Sequence, residues 1–380
     1  MENKKIRISE AEYDAVCEYR KSLGKSFVPK EHFKRGKGKS YRTRLCDEEQ
    51  KIVDEIRKGC TIESQLPLTK KEREEYEELK QIMDVRDKSA KVEIYKIENK
   101  EPDSERSSIP VFLLSDVHYE EIIRKESVLG KNEYNPEIAK QRLDTYFRNV
   151  VKLTTHAQRS YHGMNSIVIG VLGDLINNYI HEELQQTNAM TPLDAISDMK
   201  TIILSGLKYV HDNANVDKIT VVWVCGNHGR SSNKSQFSNF TQMSHEYYLG
   251  VDIKTMCEVL GLKKFEFVIP RSEMAILEMF GKRYLFTHGT RIKGGGGVGG
   301  IAVPISRYFN RIARALDIVY MFIGHFHQSV KNKQFLVNGS VVGYSPYAMG
   351  NGCDYEPPQQ SMLILDSKRG ITAYNEVYLD

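Results

Sequence analysis

No stretch of this 380-residue sequence approaches the run of about 20 apolar residues that a membrane-spanning helix requires. The opening segment, Met1-Glu-Asn-Lys-Lys-Ile-Arg, lacks the apolar centre of a secretory leader, so the expected location is intracellular, in the cytoplasm. Cysteine is scarce: six residues are scattered at 17, 46, 60, 225, 257 and 353, with no Cys-x-x-Cys pair. That argues against a disulfide frame or a zinc knuckle and for reduced thiols. A strong charge of one sign is missing too. The net charge of +4 is too small to imply a polyanionic partner by itself. No repeat recurs at a fixed period.

What is present is unevenly spread. Residues 21–44 hold nine basic side chains (21, 25, 30, 34, 35, 37, 39, 42 and 44) against one acid, Glu31, with Phe27, Phe33 and Tyr41 interleaved. Such a mixture can grip backbone phosphates and stack bases; it is as often a solvated face. The first 90 residues read as a small helical module. Ser9-x-x-Glu12 is a capping box ahead of Tyr13, Val16 and Cys17, with Gly24 as a stop. Asp47-x-x-Gln50 opens a second helix and Thr69-x-x-Glu72 a third, each followed by apolar residues at helical spacing. Residues 34–40 are expected to form a basic loop, and a helix–turn–helix within 9–58 fits the spacing without being established by it. A boundary is expected near 87–91, separating a basic module (1–90), suited to binding nucleic acid or a partner, from a larger domain (91–380).

Beyond residue 91, apolar runs of strand length (111–114, 167–172, 219–224, 283–286, 318–323) alternate with amphipathic helix patterns (136–157, 192–211, 241–260), and strands follow at 361–365 and 371–377. Continuous apolar strands between helices indicate an α/β fold with sheets covered by helices. A short polar motif follows each of the first five runs. In order these are Asp116-Val117-His118, Gly173-Asp174, Gly226-Asn227-His228, His288 in Phe-Thr-His-Gly, and Gly324-His325-Phe326-His327. A single Asp or His at a strand end is ordinarily a structural, hydrogen-bonded residue. Five together are different, because side chains at the carboxyl ends of strands converge. Carboxylate, amide and imidazole donors in this number can hold two metal ions.

In these residues the chain resembles the calcineurin-like metallophosphoesterases, whose pattern is D-x-H, G-D, G-N-H, H, G-H-x-H. The resemblance spans roughly residues 110–330 and leaves the first 90 uncovered. It implies a two-sheet β-sandwich flanked by helices. It also implies that Asp116, His118, Asp174 and His327 hold one ion, that Asp174 bridges to a second, and that Asn227, His288 and His325 complete that second site. Mn²⁺ suits such mixed ligands best, with Fe, Zn²⁺ or Mg²⁺ tolerated. His228 is implied as the group that protonates the leaving oxygen or stabilises the charge developing there. The implied reaction is hydrolysis of a phosphodiester by a hydroxide shared between the ions, on a substrate expected to be DNA or RNA, as in the repair-nuclease and phosphodiesterase branch. The glycine-rich run and residues 344–358 are similar, more loosely, to phosphoesterases of bacteriophages and mobile elements.

Two positions depart from the pattern. Asn177 stands where the phosphatases carry an Asp that pairs with the catalytic His. An Asn oxygen can orient an imidazole but offers imidazolium no full charge. Arg230 follows Gly229 where many relatives have an acid, and could clamp a phosphate. Asn177 and Arg230 are the candidate substrate-binding residues. Alternatives are a phosphomonoesterase or protein phosphatase, a cyclic-nucleotide or dinucleotide phosphodiesterase, and a non-catalytic nucleic-acid-binding scaffold; a homodimer is also open. The run 294–300, ahead of a helix pattern at 304–315, reads first as a flexible loop and second as a lid near phosphate. It is not a Walker A loop, since no Gly-Lys-Ser/Thr ends it.

Overall fold

The computed structural model describes residues 6–23, 31–35, 38–43, 45–57, 95–96, 107–180, 182–232, 234, 236–294 and 297–380. The chain divides into two compact units, 1–85 and 86–380.

The first unit is built on a three-stranded antiparallel sheet, β1 (Ile6–Ser9), β2 (Glu31–Arg35) and β3 (Gly38–Thr43), in the order β1-β3-β2. Helix α1 (Glu10–Ser22) begins at the expected capping box: the Glu12 N–H donates to Ser9 Oγ at 3.3 Å, and the Ser9 N–H to Glu12 Oε2 at 2.6 Å. Helix α2 (Asp47–Arg57) is capped one residue earlier than expected. The Cys46 N–H donates to Glu49 Oε2 at 3.0 Å, while the Gln50 side chain reaches forward to Asp54. Ile8, Val16, Leu45 and Val53 form the small core of this unit. Arg20 pairs with Glu49, and Arg57 with Glu12 at 2.6 Å, clamping the two helices together.

The basic stretch at 34–40 is therefore part of a β-hairpin rather than a loop. Its composition reads as a loop, but Lys34 and Arg35 end β2 and Gly38 opens β3, paired with Arg35. That hairpin separates α1 from α2, which excludes a helix–turn–helix. The expected third helix lies outside the described residues.

The second unit stacks two six-stranded sheets. The first comprises β5 (Ser108–Leu114), β6 (Ser166–Val171), β7 (Lys218–Trp223), β8 (Phe265–Val268), β14 (Gln359–Asp366) and β15 (Gly370–Tyr378), in the order β15-β14-β5-β6-β7-β8. The second comprises β4 (Tyr95–Lys96), β9 (Met274–Met279), β10 (Lys282–Thr287), β11 (Ile318–Ile323), β12 (Val330–Lys331) and β13 (Phe335–Val337), in the order β12-β13-β11-β10-β9-β4. Period-two alternation assigns each strand's two faces. Val111 and Leu113 of β5 join Tyr284, Phe286, Tyr320 and Phe322 in the layer between the sheets. Phe112 and Leu114 point the other way, toward the helices on the first sheet.

Those helices are α3 (Pro136–Gln158), α4 (Pro192–Asn213) and α5 (His245–Val259). α3 starts where Asn135 Oδ1 accepts the Ile138 N–H at 3.0 Å, with Pro136 in the first turn. It buries Ala139, Leu143, Tyr146, Phe147 and Val150, one stripe at helical spacing. A fourth helix, α6 (Gly297–Leu316), covers the second sheet through Ile301, Ile305, Phe309 and Ile312. It begins inside the glycine run, seven residues before the expected start at 304, because the packed Ile301 and Ile305 stabilise a turn that propensity alone disfavours. The two-sheet architecture flanked by helices is the one the motifs implied. No helix among the described residues is long and apolar enough to cross a membrane. The five described cysteines are free thiols, with Cys225 and Cys257 buried and Cys46 exposed.

Candidate metal centre

Strand order places the five motifs side by side. β5, β6 and β7 are parallel neighbours in one sheet, and β10 and β11 are parallel neighbours in the other. Their carboxyl ends deliver Asp116, Asp174, Asn227, His288 and His325 to one rim. Main-chain bonds lock the turns together. The Asp116 N–H donates to Gly173 O (3.0 Å) and the Gly324 N–H to His288 O (3.1 Å). The sheets are tied by the His325 N–H, which donates to both Asp116 oxygens at 3.0 and 3.1 Å, and by His288 Nδ1, 2.6 Å from Leu172 O.

Asp116, His118, Asp174, His325 and His327 all have positive φ, between 44° and 75°. Asp and His tolerate the left-handed region better than most residues, yet each such position costs about 1–3 kcal/mol. Five in one site represent strain that the surrounding structure overrides to aim these side chains inward. Close approach of two turns is equally demanding. A Cβ at Gly226 would lie 2.1 Å from Asp174 Oδ1 and 2.3 Å from its backbone nitrogen, and one at Gly173 would lie 2.1 Å from Gly226 N. Gly226→Ala is therefore expected to destabilise by about 1–3 kcal/mol, as overpacking does, and to displace Asp174. Thermal melts with an activity assay test this; unchanged values in both would refute it.

The donor atoms fall into three sets, each within 4.8 Å: Asp116, His118 and His327; His118, Asp174 and His228; Asp174, His288 and His325. Three observations fit divalent cations. His118 Nε2 and His327 Nε2 are 3.1 Å apart, close to the roughly 3 Å expected for two nitrogens bound about 2.1 Å from one ion at a right angle. His288 spends Nδ1 on Leu172 O and turns Nε2 toward Asp174 Oδ2 at 2.9 Å, so the nitrogen and the carboxylate need a cation or proton between them. Asn227 Oδ1 is buried without a hydrogen-bond partner.

For two of the histidines the electrostatics agree. Burial pushes the His118 imidazole well below its ordinary pKa, and burial with His288 pulls His325 down to about 4, so both keep neutral lone pairs. Burial alone would raise the Asp174 carboxyl, but His288 and His228 beside it hold it well below the usual range. Burial also opposes the charged form of His288, and Asp174 outweighs it, raising His288 to about 9.

His228 Nδ1 lies 2.7 Å from the backbone carbonyl of Asn177, and its ring stands edge-on to His118 at 4.5 Å. The expectation for Asn177 needs correcting. Its main-chain oxygen, not its side chain, orients His228. The side chain instead holds His118 Nδ1 through Oδ1 (3.1 Å) and donates to Asn188 Oδ1 (2.9 Å). Asn177 is buried with both ends of its amide in use. Arg230 sits in the same loop as His228. Its Nη1 donates to Asn227 O (2.7 Å) and its Nε to Ser232 O (3.1 Å), which knits the motif's own loop.

Residues the motifs did not single out complete the surroundings. Ser115 bonds Asp116, and Asn338 and Gln360 bond Ser115 in a buried network behind that ligand. Glu120 accepts the Asn177 and Asn178 N–H groups at 2.9 and 2.7 Å. Glu246 accepts those of Leu175 and Gly226 at 2.6 and 2.7 Å. Period-two and helical patterning cannot reveal these acids, because only the fold brings them to the turns.

No family model matches the chain, and no curated protein matches it. Solved structures are similar at low identity. A point mutant of Vps29 from Entamoeba histolytica is 14% identical, with 71% of this chain and 99% of that one covered and a TM-score of 0.27. A dimetal phosphatase from Danio rerio is 12% identical over 72% and 99%, with a TM-score of 0.31. The sulfate thiohydrolase SoxB from Thermus thermophilus is 10% identical over 74% and 57%, with a TM-score of 0.29. At these values the chemistry rests on the site itself.

Proposed function

We infer that the protein is a dinuclear metal-dependent phosphoesterase of the calcineurin-like type, acting on phosphodiester bonds in nucleic acid. The carrying observation is the chain of three donor sets, the first two sharing His118 and the last two sharing the Asp174 carboxylate. Asp116, His118, Asp174 and His327 would hold one ion, and Asp174, Asn227, His288 and His325 the other; Mn²⁺ suits this mixture. Two such ions, when bound, depress the pKa of a shared water and neutralise charge on the phosphoryl oxygens. The chain's own residues do the rest. Asn177 fixes the ring of His118, and its carbonyl fixes the Nδ1 side of His228. His228 Nε2 thereby faces the site and supplies the proton that the departing oxygen needs.

The nucleic-acid assignment draws on the first unit. Its hairpin sets position 34 opposite 39 and position 7 opposite 42, Lys against Lys and Arg against Arg. Nine basic residues fall within 21–44 of the sequence, and a polyanion is the partner such a run would take. The assay is incubation with Mn²⁺ and end-labelled single- and double-stranded DNA and RNA, with an Asp174→Asn control. A metal-dependent ladder missing from the control is expected. Intact polymers from protein holding two ions per chain would rule out a nuclease and point to small phosphodiesters or phosphomonoesters.

A further inference from the structure

The acids at the site outnumber those able to ligate. Asp116, Glu120, Asp174 and Glu246 are each at most 1% exposed. None lies within 4 Å of a lysine or arginine nitrogen among the described residues, although buried carboxylates ordinarily need such partners. Glu120 and Glu246 are not candidate ligands. Both oxygens of each are taken up by backbone N–H groups of the turns that carry the ligands. Glu246, in the first turn of α5, joins the residue after Asp174 to the residue before Asn227. Its own position is held by the Trp223 indole, which donates to the Glu246 carbonyl at 2.9 Å. Glu120 does the same for the turn at Asn177 and Asn178.

We propose that Glu246, seconded by Glu120, is a non-ligating anion that sets the affinity of the centre for its cation pair: four buried carboxylates are balanced by two dications. Glu246 also interacts through charge with Asp174 and His288, so it bears on the centre through charge as well as through the turns it braces. Such outer groups are worth roughly 10–100-fold in metal affinity. The proposal rests on the metal reading above and extends it to residues that touch no ion.

The test is titration calorimetry with Mn²⁺ at pH 8 on the full chain and its E246Q, E246D and E120Q variants. Melting curves in a chelator establish that each variant is folded. E246Q removes the charge and keeps the length; E246D keeps the charge and shortens the reach. The expected result is two ions per wild-type chain, binding weakened roughly 10–100-fold in E246Q and E120Q, and a smaller loss in E246D. Equal affinity in E246Q and wild type overturns the proposal and leaves the metal reading standing. A loss in E246D as large as in E246Q also overturns it, making Glu246 a brace alone. If E246Q does not fold, E120Q decides by the same criterion. A wild-type chain that binds no dication refutes the metal reading itself.

Discussion

Asp174→Asn is expected to lower phosphodiesterase activity by three orders of magnitude or more while leaving the fold intact. Asp174 is the residue common to the second and third donor sets, and its main chain also receives the first motif: the Val117 and His118 N–H groups donate to its carbonyl at 2.8 and 3.1 Å. The side chain divides its work. Oδ1 accepts the His228 N–H at 2.7 Å, while Oδ2 faces His288 Nε2 at 2.9 Å and His118 Nε2 at 4.0 Å. Asn keeps an oxygen for the first task and puts an N–H₂ group where the second needs a negative oxygen. Losing the shared ligand removes Lewis-acid stabilisation worth several kcal/mol, at about 1.4 kcal/mol per tenfold in rate. Asp174→Ala would confuse the result, since a buried N–H left without an acceptor costs about 1–3 kcal/mol of stability. The measurements are metal content per chain, kcat, and melting temperature in a chelator. An Asn variant that retains both ions and its activity would overturn the assignment of Asp174 as the bridge.

His228→Ala is expected to reveal its role through the leaving group. General acid catalysis contributes about 10²–10⁴-fold, but only when the departing oxygen needs a proton. p-Nitrophenolate leaves without one; a nucleoside alkoxide does not. The variant should therefore lose roughly 10²–10⁴-fold in kcat on a nucleic-acid or dinucleotide substrate and far less on bis-p-nitrophenyl phosphate. Ion content should not change, because the positioned Nδ1 of His228 bonds a backbone carbonyl and the seven assigned ligands do not include it. Equal losses on both substrates would instead indicate that His228 holds an ion or packs against His118.

The chemistry was more legible in the sequence than the architecture around it. Strand runs such as 167–172 and 318–323 reappear within one or two residues as β6 and β11, because a strand buried on both faces is apolar throughout. The hairpin at 31–43 was not legible. Lys, Arg and Gly there resemble a loop, and pairing with β1 is a long-range interaction that composition does not encode. Asn177 shows a subtler limit. Its position after Asp174 suggested a link to His228, and a link exists, but through the carbonyl. The side chain turned to His118, 59 residues away in the chain, since φ at Asp174 and Asn178 sets which way the turn presents its groups.

The sequence by itself determined which donors are available and that they follow strands, because ligand chemistry and apolar periodicity are both local properties. Tertiary structure alone decided that two stacked sheets bring those strand ends to one rim, that five motif residues accept left-handed backbone to point inward, and that Glu120 and Glu246 are buried beside them. Those outcomes depend on close packing between segments far apart in the chain, where a turn at Gly226 with no room for a Cβ, or two backbone N–H groups in need of an acceptor, select the arrangement.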